Sequence, residues 1–199
     1  MNENTQTTGD ALINWIESRR SIGNLDIPAP SMEQLKKAIH CAMTAPDHKR
    51  LQPWRFIVTK GNARHELGRA FLAAAKAKAA RDGDELDEKT ITKTQKLPLR
   101  APVLITVVTR MQYHEKVPTF EQVLSAGASI QNLILALQAQ GFNSVWRTGL
   151  LCNEPDVKRY FNVGSEDYVV GFIYTGTAHC GLPQRRPIEI DDFIKFEDT

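Results

Sequence analysis

The sequence predicts a central β-sheet with helices on both of its faces. Two observations lead there. Apolar runs of strand length at 54–59, 103–109, 144–147 and 168–175 are separated from one another by segments of helical periodicity. The composition is that of an ordinary globular domain. Of 199 residues 42% are apolar and 24% charged, with no internal repeat and no Gly/Ser-rich linker to divide the chain. Such a length buries a sizeable core without disulfides or metals. The element order does not require the sheet to be purely parallel.

Residues 1–9 are polar and read as a disordered tail, with neither the basic nor the apolar stretch of a signal peptide. One domain is expected over 10–199. Its first helix spans about Asp10 to Arg19 and places Leu12, Trp15, Ile16 and Arg19 on one face, which predicts a buried stripe. Gly23–Pro30 is a loop rich in breakers. Ser31, followed three residues later by Gln34, has the capping-box signature of a second helix, whose apolar positions are Leu35, Ala38, Ile39 and Ala42. Pro46 stops it, because the residue before a proline is pushed out of the helical region.

A loop over Pro46–Pro53 leads into the first strand, Trp54–Thr59, closed by Lys60-Gly61. An alanine-rich helix covers about Ala63–Arg81. A charged turn over Asp82–Lys89 and a short helix ending near Lys96 follow. Val103–Thr109 is β-branched and nearly continuous, as in a strand buried on both faces. Thr119 with Gln122 predicts a second capping box. Phe120, Val123, Leu124, Gly127, Ile130, Leu133, Ile134 and Leu137 then repeat at helical spacing up to Gly141. Strand Ser144–Arg147, a turn at Gly149, a helix near Pro155–Phe161 and strand Tyr168–Thr175 complete the sheet. Beyond Pro183 and Pro187, Ile188–Phe196 reads as a short strand or extended arm.

Several function classes drop out. The net charge of +2, from 25 basic and 23 acidic side chains, is too balanced for a general nucleic-acid binder, although a small anion needs only local charge. The longest apolar run, Ala70–Ala75, is far short of the ~20 residues of a membrane span. Cys41, Cys152 and Cys180 are odd in number and widely spaced, which fits a reducing cytoplasm better than a disulfide framework, and they read as packing or surface residues. His40, His65, His114 and His179 lack metal-ligand spacing. No GxGxxG, Walker A, HExxH or GxSxG motif is present.

Three segments carry polar chemistry. Arg19-Arg20-Ser21 closes a helix just before a glycine-containing loop; two guanidiniums and a hydroxyl suit a phosphate, and basic residues there also offset the helix macrodipole. Asp47, His48, Lys49, Arg50 and Gln52 lie in a loop between a helix and a strand, where ligands commonly bind, while Trp54 can anchor the strand in the core. In Gly141–Gly149 a strand ends in Trp146, Arg147 and a small-residue turn, Thr148-Gly149, whose backbone a planar ligand can approach closely; a buried Trp146 with Arg147 in a surface ion pair is the other reading.

In this order and spacing, RRS at 19–21, APDHK and QPW within 45–54, KVPTFEQ at 116–122 and GFNSVWRTG at 141–149 resemble the FMN-dependent nitroreductase family, and within it the small YdjA-like NAD(P)H nitroreductases. The resemblance spans about Asp10 to Phe193. It implies an α+β fold: a three-layer α/β/α sandwich with a central mixed sheet, forming a homodimer with FMN at the subunit interface. It further implies that Arg19 and Ser21, with Arg20 close by, hold the FMN phosphate, and that Arg185 (or Arg186 beside it) reaches the same phosphate. His48 would contact the flavin from the other subunit, with Gln52 and Trp54 shaping its loop. Trp146, Arg147, Thr148 and Gly149 would face the isoalloxazine ring, a backbone N–H of Thr148 or Gly149 donating to flavin N5. Ala136–Gly141 matches a stretch linked with the nicotinamide nucleotide.

The expected activity is ping-pong hydride transfer from NADH or NADPH through FMN to an electron-poor small molecule such as a nitroaromatic or quinone. No protein nucleophile is needed. Three positions depart from the pattern of the broader family, Asp47 among them being shared with the YdjA-like group. Gly23 stands where a cation near flavin N1 and O2 is usual, and Asp47 and Arg50 stand where Ser and Asn are usual. Without that cation the reduced flavin loses electrostatic support unless His48, Lys49 or Arg50 supplies it, which leaves open a flavin carrier or redox sensor, and the same fold also serves other reductions or dehydrogenations.

Overall fold

The structure, a computed structural model, describes residues 3–197. Its elements are α1 (Glu3–Ser18), β1 (Leu25–Asp26), α2 (Met32–Ala42), β2 (Trp54–Lys60), α3 (Ala63–Asp82), α4 (Glu88–Gln95), β3 (Val103–Thr109), α5 (Thr119–Ala139), β4 (Asn143–Arg147), α6 (Pro155–Tyr160) and β5 (Val169–Ala178). The sheet is built around β5, which pairs antiparallel with β3, β4 and β1, while β2 extends it beyond β3. Among the described residues the parallel component of the expected mixed sheet is a single bridge, Ser21 to Ser144.

Two cores flank the sheet, one on each face. On one side Leu67, Phe71 and Ala74 of α3 and Val157 of α6 meet Leu104, Phe172 and Tyr174. On the other, Leu35 and Ala38 of α2 and Ile130, Leu133 and Leu137 of α5 meet Ile105, Val107 and Ile173. Alternation along β3 and β5 feeds both layers, which is why these strands are apolar throughout. This is the α+β sandwich read from the sequence.

The capping box at Ser31 is formed. Its hydroxyl accepts from the Gln34 N–H at 3.2 Å, and the Gln34 side chain accepts from the Ser31 N–H at 2.8 Å. Ser31→Ala should cost about 1 kcal/mol of stability; urea denaturation checks this.

Other expectations need correction. The helix expected from Asp10 begins at Glu3, so the expected tail is helical from residue 3 onward; residues 1 and 2 lie outside the described residues. The α1 stripe is not buried: Leu12, Ile13 and Ile16 are exposed, Trp15 is half-buried, and Arg19 lies beyond the helix. The Thr119 capping box does not form. Pro118 takes the N-cap position, and the buried Gln122 side chain bonds both the N–H (3.0 Å) and the C=O (2.8 Å) of Gln112. The apolar stripe of α5 could have packed on its own sheet or on a partner; Phe120 and Leu124 are exposed, so within this chain only its later part, from Ile130 on, packs on the sheet. The C-terminal arm forms only a 3-10 turn at Ile190–Asp192 and exposes Ile188, Phe193 and Phe196. The loop 23–30 contains β1, too short to be legible as a strand.

Candidate functional site

α1 ends at Ser18, and the chain turns to run along the outer edge of β4. The Ile22 N–H donates to the Ser144 carbonyl at 3.1 Å, and Ser21 bridges Ser144. Arg19 Nη1 lies 3.3 Å from Ser21 Oγ. The C-terminal arm returns beside them: Arg185 Nη2 donates to the carbonyls of Arg19 (3.0 Å) and Glu17 (3.2 Å), and Arg20 Nε donates to the Pro183 carbonyl at 2.9 Å. Arg19, Arg20, Arg185 and Arg186 line one cleft of about 680 Å³ with Ile16, Gln131 and Ile188.

Among the described residues none of these arginines has a carboxylate partner; Glu17, which also lines the cleft, pairs with none of them. Partial burial pushes the Arg19 pKa down, and repulsion from Arg185 and then Arg20 pushes it further. Part of the macrodipole reading holds, because the arginines cover carbonyls at the end of α1. Converging, unpaired guanidiniums still leave an excess of positive charge that an anion would relieve.

The segment 146–149 stands at the end of β4. Alternation sends Trp146 and Arg147 to opposite faces of the sheet. The Trp146 ring reaches back over Gly171, where a Cβ would overlap Nε1, and donates to the Val170 carbonyl at 3.3 Å. Its far edge approaches Gly127 of α5. Trp146 is partly exposed, not a core residue, and Arg147 forms no ion pair among the described residues. Gly149 has φ +116° and ψ −174°, a conformation essentially confined to glycine. Neither the Thr148 nor the Gly149 N–H donates to a backbone carbonyl among the described residues, so both are free for a ligand.

The second loop is strained. Lys49, Arg50 and Gln52 all have positive φ, at +61°, +56° and +50°. Asp47 closes it by accepting from the Gln52 N–H at 2.6 Å. Such conformations cost of order 1–3 kcal/mol each and concentrate at functional sites. His48 Nδ1 is 2.7 Å from Glu121 of α5 with both side chains half-exposed, in a second pocket lined by Leu124, Ser125 and Ala128. Trp54 is buried and anchors β2.

Within one chain the structure brings Arg19, Arg20, Ser21 and Arg185 together. It places Trp146–Gly149 further along the same strand edge and His48 in the separate pocket, while Gln52 belongs to the same loop as His48 but does not line that pocket. Both pockets touch one stripe of α5, through Glu121, Leu124 and Ala128 in one and Gln131 in the other. Glu121 and Gln131 had no assigned role in the sequence reading; their helical spacing from Leu124 was the available signal. Gln138 and Gln140, within the nicotinamide-linked stretch, instead bond the carbonyls of Trp15 and Gln34, and Leu137 is buried.

Comparison with known proteins agrees with this arrangement. The model of the Nitroreductase family matches residues 16–177. The chain belongs to the nitroreductase family. It is 41% identical over 179 residues to YdjA of Escherichia coli (strain K12), a protein provisionally named an NAD(P)H nitroreductase, covering 90% of this chain and 93% of that one. The nitroreductase-like family protein from Bacillus cereus superposes with a TM-score of 0.79 at 22% identity, covering 94% of this chain and 96% of that one. The FMN- and NADPH-dependent nitroreductase NfnB from sphigopyxis sp. strain HMH gives a TM-score of 0.70 at 17% identity, covering 94% and 99%. These two likenesses concern the fold.

Family membership makes the chain an oxidoreductase of nitroreductase type, whose cysteines stand apart from this site. Burial pushes the Cys152 thiol up to about 11, whereas Cys180 is exposed and Cys41 half-buried. Since the thiolate is the reactive form, alkylation of the native protein at neutral pH should label Cys180 first and leave Cys152 unmodified. Peptide mapping after a short iodoacetamide pulse checks the order. Among the described residues no group of three or more His, Cys, Asp and Glu side chains is placed to hold a metal, and no helix is long and apolar enough to cross a membrane.

Proposed function

We propose that this protein is an FMN-dependent NAD(P)H oxidoreductase that reduces electron-poor small molecules, nitroaromatics and quinones among them, by ping-pong hydride transfer. The observation that carries the reading is that Arg19, Arg20 and Arg185 share one cleft with no carboxylate paired to them, Ser21 lying against Arg19 at the edge of β4, the strand that leads into Thr148-Gly149. A phosphate monoester fits that donor set. A planar ring fits the free N–H groups and the glycine-only conformation of Gly149. YdjA and NfnB carry matching activities in their names.

When bound, FMN accepts and passes on the hydride at N5. Arg19, Ser21 and Arg185 hold the phosphate. The Thr148 or Gly149 N–H donates to N5 and fixes the ring's position. Trp146, braced over Gly171, limits one side of the pocket.

A homodimer completes the site in this reading. Leu12, Ile13 and Ile16 of α1, Phe120 and Leu124 of α5, and Ile188, Phe193 and Phe196 of the arm are large apolar side chains left in water. Ile16, Gln131 and Ile188 line one cleft, so α1, α5 and the arm meet there. A second copy covering that surface brings its His48 loop to the flavin. The domain spans 10–199 and works in the cytoplasm.

The test is the visible spectrum of the purified protein, with NADH and then NADPH added anaerobically. Flavin bands that bleach, and return when a nitroaromatic or quinone is added, are the expected result. Bands that persist with both donors would point to a flavin carrier or redox sensor. Colourless protein that ignores added FMN would sink the reading.

A further inference from the structure

We infer that Arg147 is the cation that stabilises the reduced flavin, taking the place left empty by Gly23. The inference rests on the FMN reading above and adds a role for one residue. Gly23 follows by two residues Ser21, which bridges Ser144 of β4. A Cβ on Gly23 would lie 3.0 Å from Arg147 Nη2. The guanidinium therefore occupies the space into which a side chain at position 23 would project. Glycine lets it lie against the backbone there.

The charge has nothing else to serve. Among the described residues the Arg147 side chain makes no hydrogen bond and no ion pair, and the residue is exposed. The cleft beside it, about 410 Å³, is lined by Phe71, Leu97, Arg100, Leu151 and Tyr174 among others and contains no carboxylate. Burial pushes the Tyr174 hydroxyl up to about 12, so it is neutral and cannot balance the two arginines. An unpaired cation is thus held at the end of β4, next to the free N–H groups of Thr148 and Gly149.

Spacing supports the assignment. The Arg147 backbone is three residues along β4 from Ser144, about 10 Å at roughly 3.3 Å per residue, and its guanidinium lies against Gly23, two residues past Ser21. One ligand that is anionic at the first point and becomes anionic at the second is a flavin mononucleotide. In the reductive step the nicotinamide C4–H bond breaks and the N5–H bond forms, the hydride carrying both electrons. NAD(P)H leaves as NAD(P)⁺, and the negative charge collects on the N1–C2=O edge of the flavin. A guanidinium at that edge would favour the reduced form and raise the midpoint potential.

The test compares the FMN-loaded parent with Arg147→Met, Arg147→Lys and the double variant Arg147→Met/Gly23→Lys, by anaerobic redox titration and by FMN titration of the apo forms. Arg147→Met should weaken binding of the reduced form about tenfold more than binding of oxidised FMN. That difference is a fall of about 30 mV for a two-electron couple. Arg147→Lys should keep most of the potential. The double variant should recover it from the other side of the same space, a rescue that a purely structural Arg147 would not show. Equal potentials in parent and Arg147→Met overturn the inference while leaving the FMN reading standing. A parent that binds no FMN overturns both.

Discussion

Replacing Arg19 by alanine is expected to weaken FMN binding by about ten- to a hundredfold without unfolding the protein. A hydrogen bond to a charged group contributes about 1.5–3 kcal/mol, and about 1.4 kcal/mol is tenfold in affinity. Arg19 is one of three guanidiniums that would share the phosphate, so the others retain part of the binding. Stability should not suffer. Among the described residues the side chain's one hydrogen bond is with Ser21 Oγ, and its pKa is pushed down by partial burial and by its basic neighbours. Its removal relieves like-charge repulsion in the empty protein, so the apo Tm should stay level or rise. Ser21→Ala should lose less, about three- to tenfold, because a neutral hydroxyl contributes about 0.5–1.5 kcal/mol. Fluorescence titration of the apo variants, paired with thermal melts, reads both quantities. Unchanged affinity in both variants would remove the phosphate assignment.

Gly171→Val should disturb the site from behind. A Cβ at position 171 overlaps Trp146 Nε1 and comes within 3.0 Å of the Arg147 carbonyl oxygen. The Trp146 ring is partly exposed and can swing away, whereas the Arg147 carbonyl belongs to the β4–β5 ladder and cannot easily move. The expected result is a loss of about 1–3 kcal/mol in stability, the usual range for overpacking. FMN affinity should fall together with it, because the ring that bounds the pocket and the strand end that carries the N–H donors are both displaced. Urea denaturation gives the first quantity and flavin titration the second. A variant that loses stability but binds FMN like the parent would show that Trp146 does not bound the flavin pocket.

Local chemistry made much of the fold legible. The Ser31–Gln34 box, Pro46 as a stop, the β-branched run of β3 and the end of α5 near Gly141 each act through a few neighbouring residues, and each appears where the sequence puts it. The misreadings occur where apolar periodicity had no partner within the chain. Leu12, Ile16, Phe120 and Leu124 have core spacing but remain exposed, because periodicity marks a face that wants burial without saying what will cover it. The Thr119 signature failed because Gln122 had a stronger use. It satisfies both backbone groups of Gln112, ten residues away in the chain, in place of an N-cap N–H.

The candidate site divides in the same way. The sequence by itself determined which residue types were available: Arg19-Arg20-Ser21, His48, Gln52, the Trp146–Gly149 turn and Arg185, in an order that resembles one family. It did so because those segments are short and their chemistry is carried by adjacent residues. Only the tertiary structure decided that Arg185 returns across 166 residues to Arg19, that His48 meets Glu121, and that Trp146 and Arg147 part to opposite faces of the sheet. The placing of the Arg147 guanidinium over Gly23 belongs to the same class. Each depends on which strands pair and in what register, and register is set by burial summed over the whole sheet, which no short segment encodes.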